Sequence, residues 1–210
     1  MLTLTQEQED SLRRRDLSEL TNIINSGIDV NLLVIPNNSD VLLVAITKEH
    51  KPFLNLVLSN GFNVKNNGFS YLHHAIRTHD LFFVDTIAEA YIKAGWSLDE
   101  HKFGENCLHV AAAENELPID IFKYIESLGV SWSEKNNEGQ TPLHVLVRKF
   151  KVITDEILDI LKKEKKNLFA LDDYNLSVID ILNSAKLSNE WCNKNQNVLL
   201  FIDEVNSDGR

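Results

Sequence analysis

"TPLHVLV", residues Thr141–Val147, packs a turn former, a proline, a histidine and four aliphatic side chains into seven positions. Three further stretches align with it: "SYLHHAI" from Ser70, "NCLHVAA" from Asn106 and the degraded "SVIDILN" from Ser177. Their starts lie 36, 35 and 36 residues apart, and "DVLLVAI" from Asp40 precedes the first of them by 30. A period of this size is the signature of stacked supersecondary units, and it takes precedence over reading each apolar stretch as an independent helix.

A second marker runs in phase with the first. The glycine turns "GIDVN" at Gly27, "GFNV" at Gly61, "GWSL" at Gly95 and "GVSW" at Gly129 recur every 34 residues. The stretch "DLSELTNIINSG" places Leu17, Leu20, Ile23 and Ile24 at helical spacing and ends on Gly27, where a positive backbone torsion is often required. From each glycine to the next motif runs a polar segment, "NVKNNGFS", "SLDEHKFGEN" or "SWSEKNNEGQ", of the composition that hairpin tips prefer. The unit therefore reads helix, helix, hairpin. It is too small to bury its own apolar face and gains a core by stacking on its neighbours. The expected fold is an all-α repeat solenoid of paired short helices joined by hairpin-like loops. It forms one domain over 1–210 with about six units, at 5–38, 39–69, 70–105, 106–140, 141–176 and 177–210, the first and last acting as caps.

Composition agrees with a globular chain and narrows the chemistry. Of 210 residues, 43% are apolar and 25% charged, enough to bury a continuous core. The apolar runs are far shorter than the roughly 18 residues of a membrane helix, and the N-terminus lacks the basic, apolar and small-residue succession of an ordinary secretory signal. Cys107 and Cys192 form no scaffold of disulfides and no two-cysteine metal or redox spacing. A reducing, cytoplasmic or intracellular setting follows, with specialised export left open. A formal charge of -10 argues against broad affinity for nucleic-acid backbone. Its local exceptions, Arg13 to Arg15 and "KKEKK" at Lys162–Lys166, read as solvated helix faces or ends.

The pattern resembles the ankyrin-repeat family, whose consensus has a T-P-L-H motif entering the first helix and a glycine turn leaving the second. The likeness is strongest at Thr141–His144, good at Asn106–Ala112 and Ser70–Ala75, and weak at Asp40 and Ser177. It implies that His144, His109 and His73 are architectural, each tying neighbouring turns by hydrogen bonds. A metal ladder is excluded on distance, because equivalent residues of packed repeats lie about 10 Å apart and zinc ligands lie about 2 Å from a shared ion. Cys107 and His109, at i and i+2, point in different directions and read as motif positions, not as a nucleophile and its base. No catalytic, cofactor or metal residues are expected.

Departures from the family pattern fall between motif and glycine. The extra residues are expected to enlarge the inter-helix loops around "THDLFFVD", "ENELPIDI" and "KFKVITDE". Phe82 and Phe83 are placed in the first of these, and Trp96 and Trp132 where repeat turns meet.

The resemblance also implies a function, since ankyrin-like proteins bind other proteins through hairpin tips and the concave face of their first helices. Carried over motif by motif, it gives a protein-binding surface of Tyr71, His74, His79, Asp80, Phe103, Glu105, Asn115, Glu116, Phe150 and Lys151. The expected partner is a protein with a basic surface, and neither nucleic acid nor membrane; the chain alone is expected to be a monomer. Richness in Asn, Ile and Lys is similar to proteins of AT-rich genomes, among them bacterial effectors that engage host proteins after secretion into a host cell. The alternative is an enzyme with a small active site in the inter-helix insertions, for which no converging catalytic set is seen.

Overall fold

The computed structural model describes residues 7, 8, 10, 14, 16–35, 39–65, 71–96, 98, 104–114, 116 and 119–208. Its backbone contacts gather into two compact units, Met1–Ser97 and Leu98–Arg210.

In the first unit, α1 (Leu17–Asn25) starts on Asp16, whose Oδ1 accepts from the amides of Ser18 and Glu19 at 3.0 and 3.3 Å. That carboxylate satisfies two of the amides that a helix start leaves unpaired. Leu20, Ile23 and Ile24 form the buried face. A short strand pair, β1 (Val34–Ile35) and β2 (Ser39–Asp40), then runs antiparallel into α2 (Val41–Thr47). Helix α3 (Lys51–Ser59) is capped by His50, whose Nδ1 accepts from the Phe53 amide at 3.1 Å. The second helix pair is α4 (Tyr71–Ile76) and α5 (Leu81–Lys93). Helix α2 packs on α3 and α4, α4 on α5, and α1 on α3.

The second unit repeats the arrangement. Its pairs are α6 (Cys107–Ala113) with α7 (Ile119–Ser127) and α8 (Pro142–Lys149) with α9 (Asp155–Lys163). They are followed by α10 (Val178–Ala185), α11 (Asn189–Lys194) and α12 (Gln196–Asp208). The first helices form a stack, α6 on α8 and α8 on α10, and α12 closes against α9 and α10. Val198, Phe201, Ile202 and Val205 are the buried face of α12.

The two sequence markers coincide with backbone geometry. Gly27, Gly61, Gly95 and Gly129 leave their helices at φ of 88, 78, 70 and 86°, in the left-handed region where a side chain is strained. At the next position in this series α9 runs into a 3-10 turn, Lys165–Phe169, instead of a glycine. A second series lies two residues before the Asn106, Thr141 and Ser177 motifs. Gly104 and Gly139 adopt φ of 75 and 68°, and Asn175 holds 57° at the equivalent place. Among non-glycine residues asparagine is one of the few that visits this region readily.

The added residues before Gly95 differ from expectation. They extend the second helix, so that α5 has 13 residues where α3 has 9. Phe82 and Phe83 therefore lie in the first turn of α5 rather than in a loop, with Phe83 fully buried. Asp80 caps α5, its Oδ1 accepting from the Phe82 amide at 2.9 Å. Helices α7 and α9 have 9 residues each, and residues 150–154 separate α8 from α9.

Among the described residues, no helix is long and apolar enough to cross a membrane.

Candidate protein-binding surface

The repeat histidines are consumed by architecture. His144 is fully buried, and its Nδ1 accepts from the Thr141 amide at 3.1 Å with the Thr141 hydroxyl at 2.8 Å. An accepting Nδ1 leaves the proton on Nε2, which donates to the Leu176 carbonyl at 3.0 Å, 32 residues ahead. His109 makes the same reach, its Nδ1 lying 3.2 Å from the Asn106 amide and 2.8 Å from Asn106 Oδ1 and its Nε2 donating to the Gln140 carbonyl at 2.8 Å. Burial holds the His144 imidazole below its ordinary pKa, against the opposing pull of the Leu176 carbonyl and Asp172. The neutral ring is the form that can accept at one nitrogen and donate at the other. Both His109 nitrogens are thus occupied, and the Cys107 Sγ is directed to the Leu98 carbonyl at 3.7 Å. His73 is buried at the same register of α4.

Tyr71 requires a correction. Its side chain is 0% exposed, so it presents no ring to a partner. The hydroxyl donates to Asp40 Oδ2 at 2.5 Å, and the ring meets Phe62 edge-on at 5.9 Å. The register signalled this. Tyr71 opens its helix in the motif position where Val41, Cys107, Pro142 and Val178 are buried.

The remaining expected residues are placed individually. His74 is half-buried on α4, and His79 is exposed in the turn that follows, at φ 56°. Besides capping α5, Asp80 takes an ion pair from Lys51 at 2.6 Å. That hydrogen-bonded ammonium lowers the carboxyl pKa. In the second unit, Glu105 is half-buried, Glu116 exposed, Phe150 half-buried and Lys151 exposed. The turn carrying Phe150 and Lys151 is pinned by Asn195, whose amide donates to the Lys151 carbonyl at 3.0 Å. Phe103 and Asn115 lie outside the described residues. The structure brings His79 and Asp80 together on one turn and Phe150 and Lys151 on another.

Comparison with known proteins adds no family. No protein-family model matches the sequence, and no curated protein matches it.

Two features escaped the sequence reading. At the hairpin before α10, Leu171, Tyr174 and Leu176 stand 47, 67 and 41% exposed. The hairpin is held rigidly from beneath: Asp172 Oδ1 accepts from the amides of Tyr174 and Leu176 at 2.9 Å each, and its Oδ2 pairs with Arg148 at 2.6 Å. The second is an open cleft of about 260 Å³ between α7 and α9. Ile119, Phe122, Lys123 and Glu126 line one wall, at i, i+3, i+4 and i+7 of α7. Glu156, Asp159, Ile160 and Lys163 line the other at the same spacing on α9. That spacing was legible in the sequence as one helix face each. The facing of the two stripes was not.

Trp132 forms the floor, stacked on Phe122 with centroids 5.5 Å apart and planes 11° from parallel. Its indole N–H donates to Glu126 Oε1 at 3.0 Å, and Glu126 Oε2 pairs with Lys163 at 2.6 Å. This chain of contacts fixes one end of the cleft. The basic run is accounted for in the same way. Lys162 and Lys163 fall in the last turn of α9, where they oppose the helix dipole, and Lys165 pairs with Glu204 and Asp208 at 3.0 and 2.7 Å.

Proposed function

We propose that this chain is a diverged ankyrin-like repeat protein, a noncatalytic scaffold that binds a protein partner. The observation carrying the reading is the recurrent tie from one motif to the next turn. It joins His109 to Gln140 and His144 to Leu176 at separations of 31 and 32 residues. A tie of fixed reach is what stacked repeats of this period need, and it spends the histidines on architecture. Support for binding comes from apolar side chains held exposed on a braced hairpin, since apolar surface of this kind marks interaction sites. Glu116, Phe150 and Lys151 extend the candidate surface within the second unit; His79 and Asp80 form a separate candidate patch on the first.

The test is affinity capture from cell lysate with the full chain and a Tyr174→Ala, Glu116→Lys, Lys151→Glu variant. All three positions are exposed, so circular dichroism of the variant should match that of the parent. A saturable partner held by the parent and released by the variant is the expected outcome. Absence of any saturable protein partner removes the reading.

A further inference from the structure

We infer that the cleft between α7 and α9 is a docking groove for an arginine- or lysine-bearing peptide segment of the partner. The inference rests on the protein-binding reading and gives it a surface that the family resemblance did not supply. The groove is preformed. Stacking of Trp132 on Phe122 and the Trp132–Glu126–Lys163 chain hold its floor and one end without a ligand, and preorganisation of this kind lowers the cost of binding.

Size points to a side chain rather than a small molecule. At about 260 Å³, the cleft is below the roughly 300–1,000 Å³ typical of small-molecule sites. The facing stripes run from i to i+7 on each helix, about 10 Å at a rise of about 1.5 Å per residue. That length matches a short peptide segment with one buried anchor, the mode in which a pocket-filling residue carries most of the binding energy.

Charge selects the occupant. Glu126 and Lys163 neutralise each other at the fixed end. On the α9 wall, Glu156 and Asp159 are exposed and stand outside the ion pairs of the described residues. They leave two carboxylates beside Ile119, Ile160 and the aromatic floor, Glu156 held by Thr154, and with Lys163 paired to Glu126 the remaining lining cation is Lys123. An arginine or lysine fits this combination, laying its apolar stem on the isoleucines and its cation against the carboxylates.

The experiment pans a phage-displayed library of random peptides on the full chain and measures synthetic copies of the enriched peptides by fluorescence anisotropy. Enriched peptides are expected to share a basic residue next to a bulky apolar one. The Glu156→Lys, Asp159→Lys double variant should weaken their binding by about tenfold or more, and Lys123→Glu should tighten it by about threefold. All three changes are on exposed positions. Peptide binding should also shift the Trp132 indole N–H resonance. Enriched peptides without basic residues, or bound equally by the double variant, overturn the groove and leave the protein-binding reading standing. Absence of enrichment overturns the groove as well, and the capture experiment then decides the wider reading independently.

Discussion

The Tyr71 hydroxyl donates to the buried carboxylate of Asp40 at 2.5 Å, across 31 residues of sequence. The span equals that of the His109 tie to Gln140. In the Asp40 motif the third position after the cap is Leu43, which has no polar group to offer. The following repeat supplies the donor instead, so the link is kept while its chemistry and direction change. Tyr71→Phe should cost about 2 kcal/mol by removing a hydrogen bond to a charged, buried acceptor. Urea unfolding checks this, and an unchanged midpoint would show that the tie carries no stability.

Replacing His144 by Ala should cost about 2 kcal/mol, because it strands the buried Thr141 amide and removes one of the two donors to the Leu176 carbonyl, which keeps the Asp172 amide. Its pH behaviour has a definite sign. The folded pKa is lowered from 6.5 by burial, so the unfolded chain takes up the proton first as pH falls. Stability is therefore full above the ordinary value and declines as pH drops from there through the folded pKa. Unfolding midpoints measured across this window should fall with acidification, and His144→Asn should flatten part of the slope.

Asp172 titrates lower still. Burial raises its pKa, but the Leu176 and Tyr174 amides and the charges of Arg148 and His144 outweigh it, and the net shift is downward from 3.8. The unfolded chain again binds the proton first, so this contribution is present above the ordinary value and lost as pH falls through the folded one. Asp172→Asn should lower stability by about 2 kcal/mol near neutral pH and reduce the acid-limb dependence. A variant with the parent's acid limb would contradict the assignment.

Two glycine-to-alanine changes should differ in cost. At Gly129 a Cβ meets open space, and only the left-handed backbone, φ 86°, opposes it, a cost of about 1 kcal/mol. At Gly139, φ 68°, the same Cβ would come within 2.8 Å of the Asp173 amide nitrogen and strike its side chain. Gly139→Ala should therefore be the worse by a further ~1–2 kcal/mol, and calorimetric melting of the pair reads the difference. Equal losses would mean that the neighbouring hairpin gives way freely.

The sequence alone determined what repeats locally. Helix starts and the left-handed glycines each depend on a few adjacent residues, so a period of about 35 was visible in the letters. The roles of His109 and His144 came from the family resemblance, and their partners 31 and 32 residues ahead only from the structure. Only the tertiary structure decided which side chains face one another. Tyr71 has the composition of a binding residue, and its burial and its bond to Asp40 depend on the preceding repeat. The added residues before Gly95 lengthened a helix, with Asp80 capping its start and Phe83 buried in its first turn, where the extra length had suggested loop. The α7–α9 cleft has the same origin: each stripe is written within one helix, but the groove exists only when packing sets them opposite, and distance in space is not carried by order along the chain.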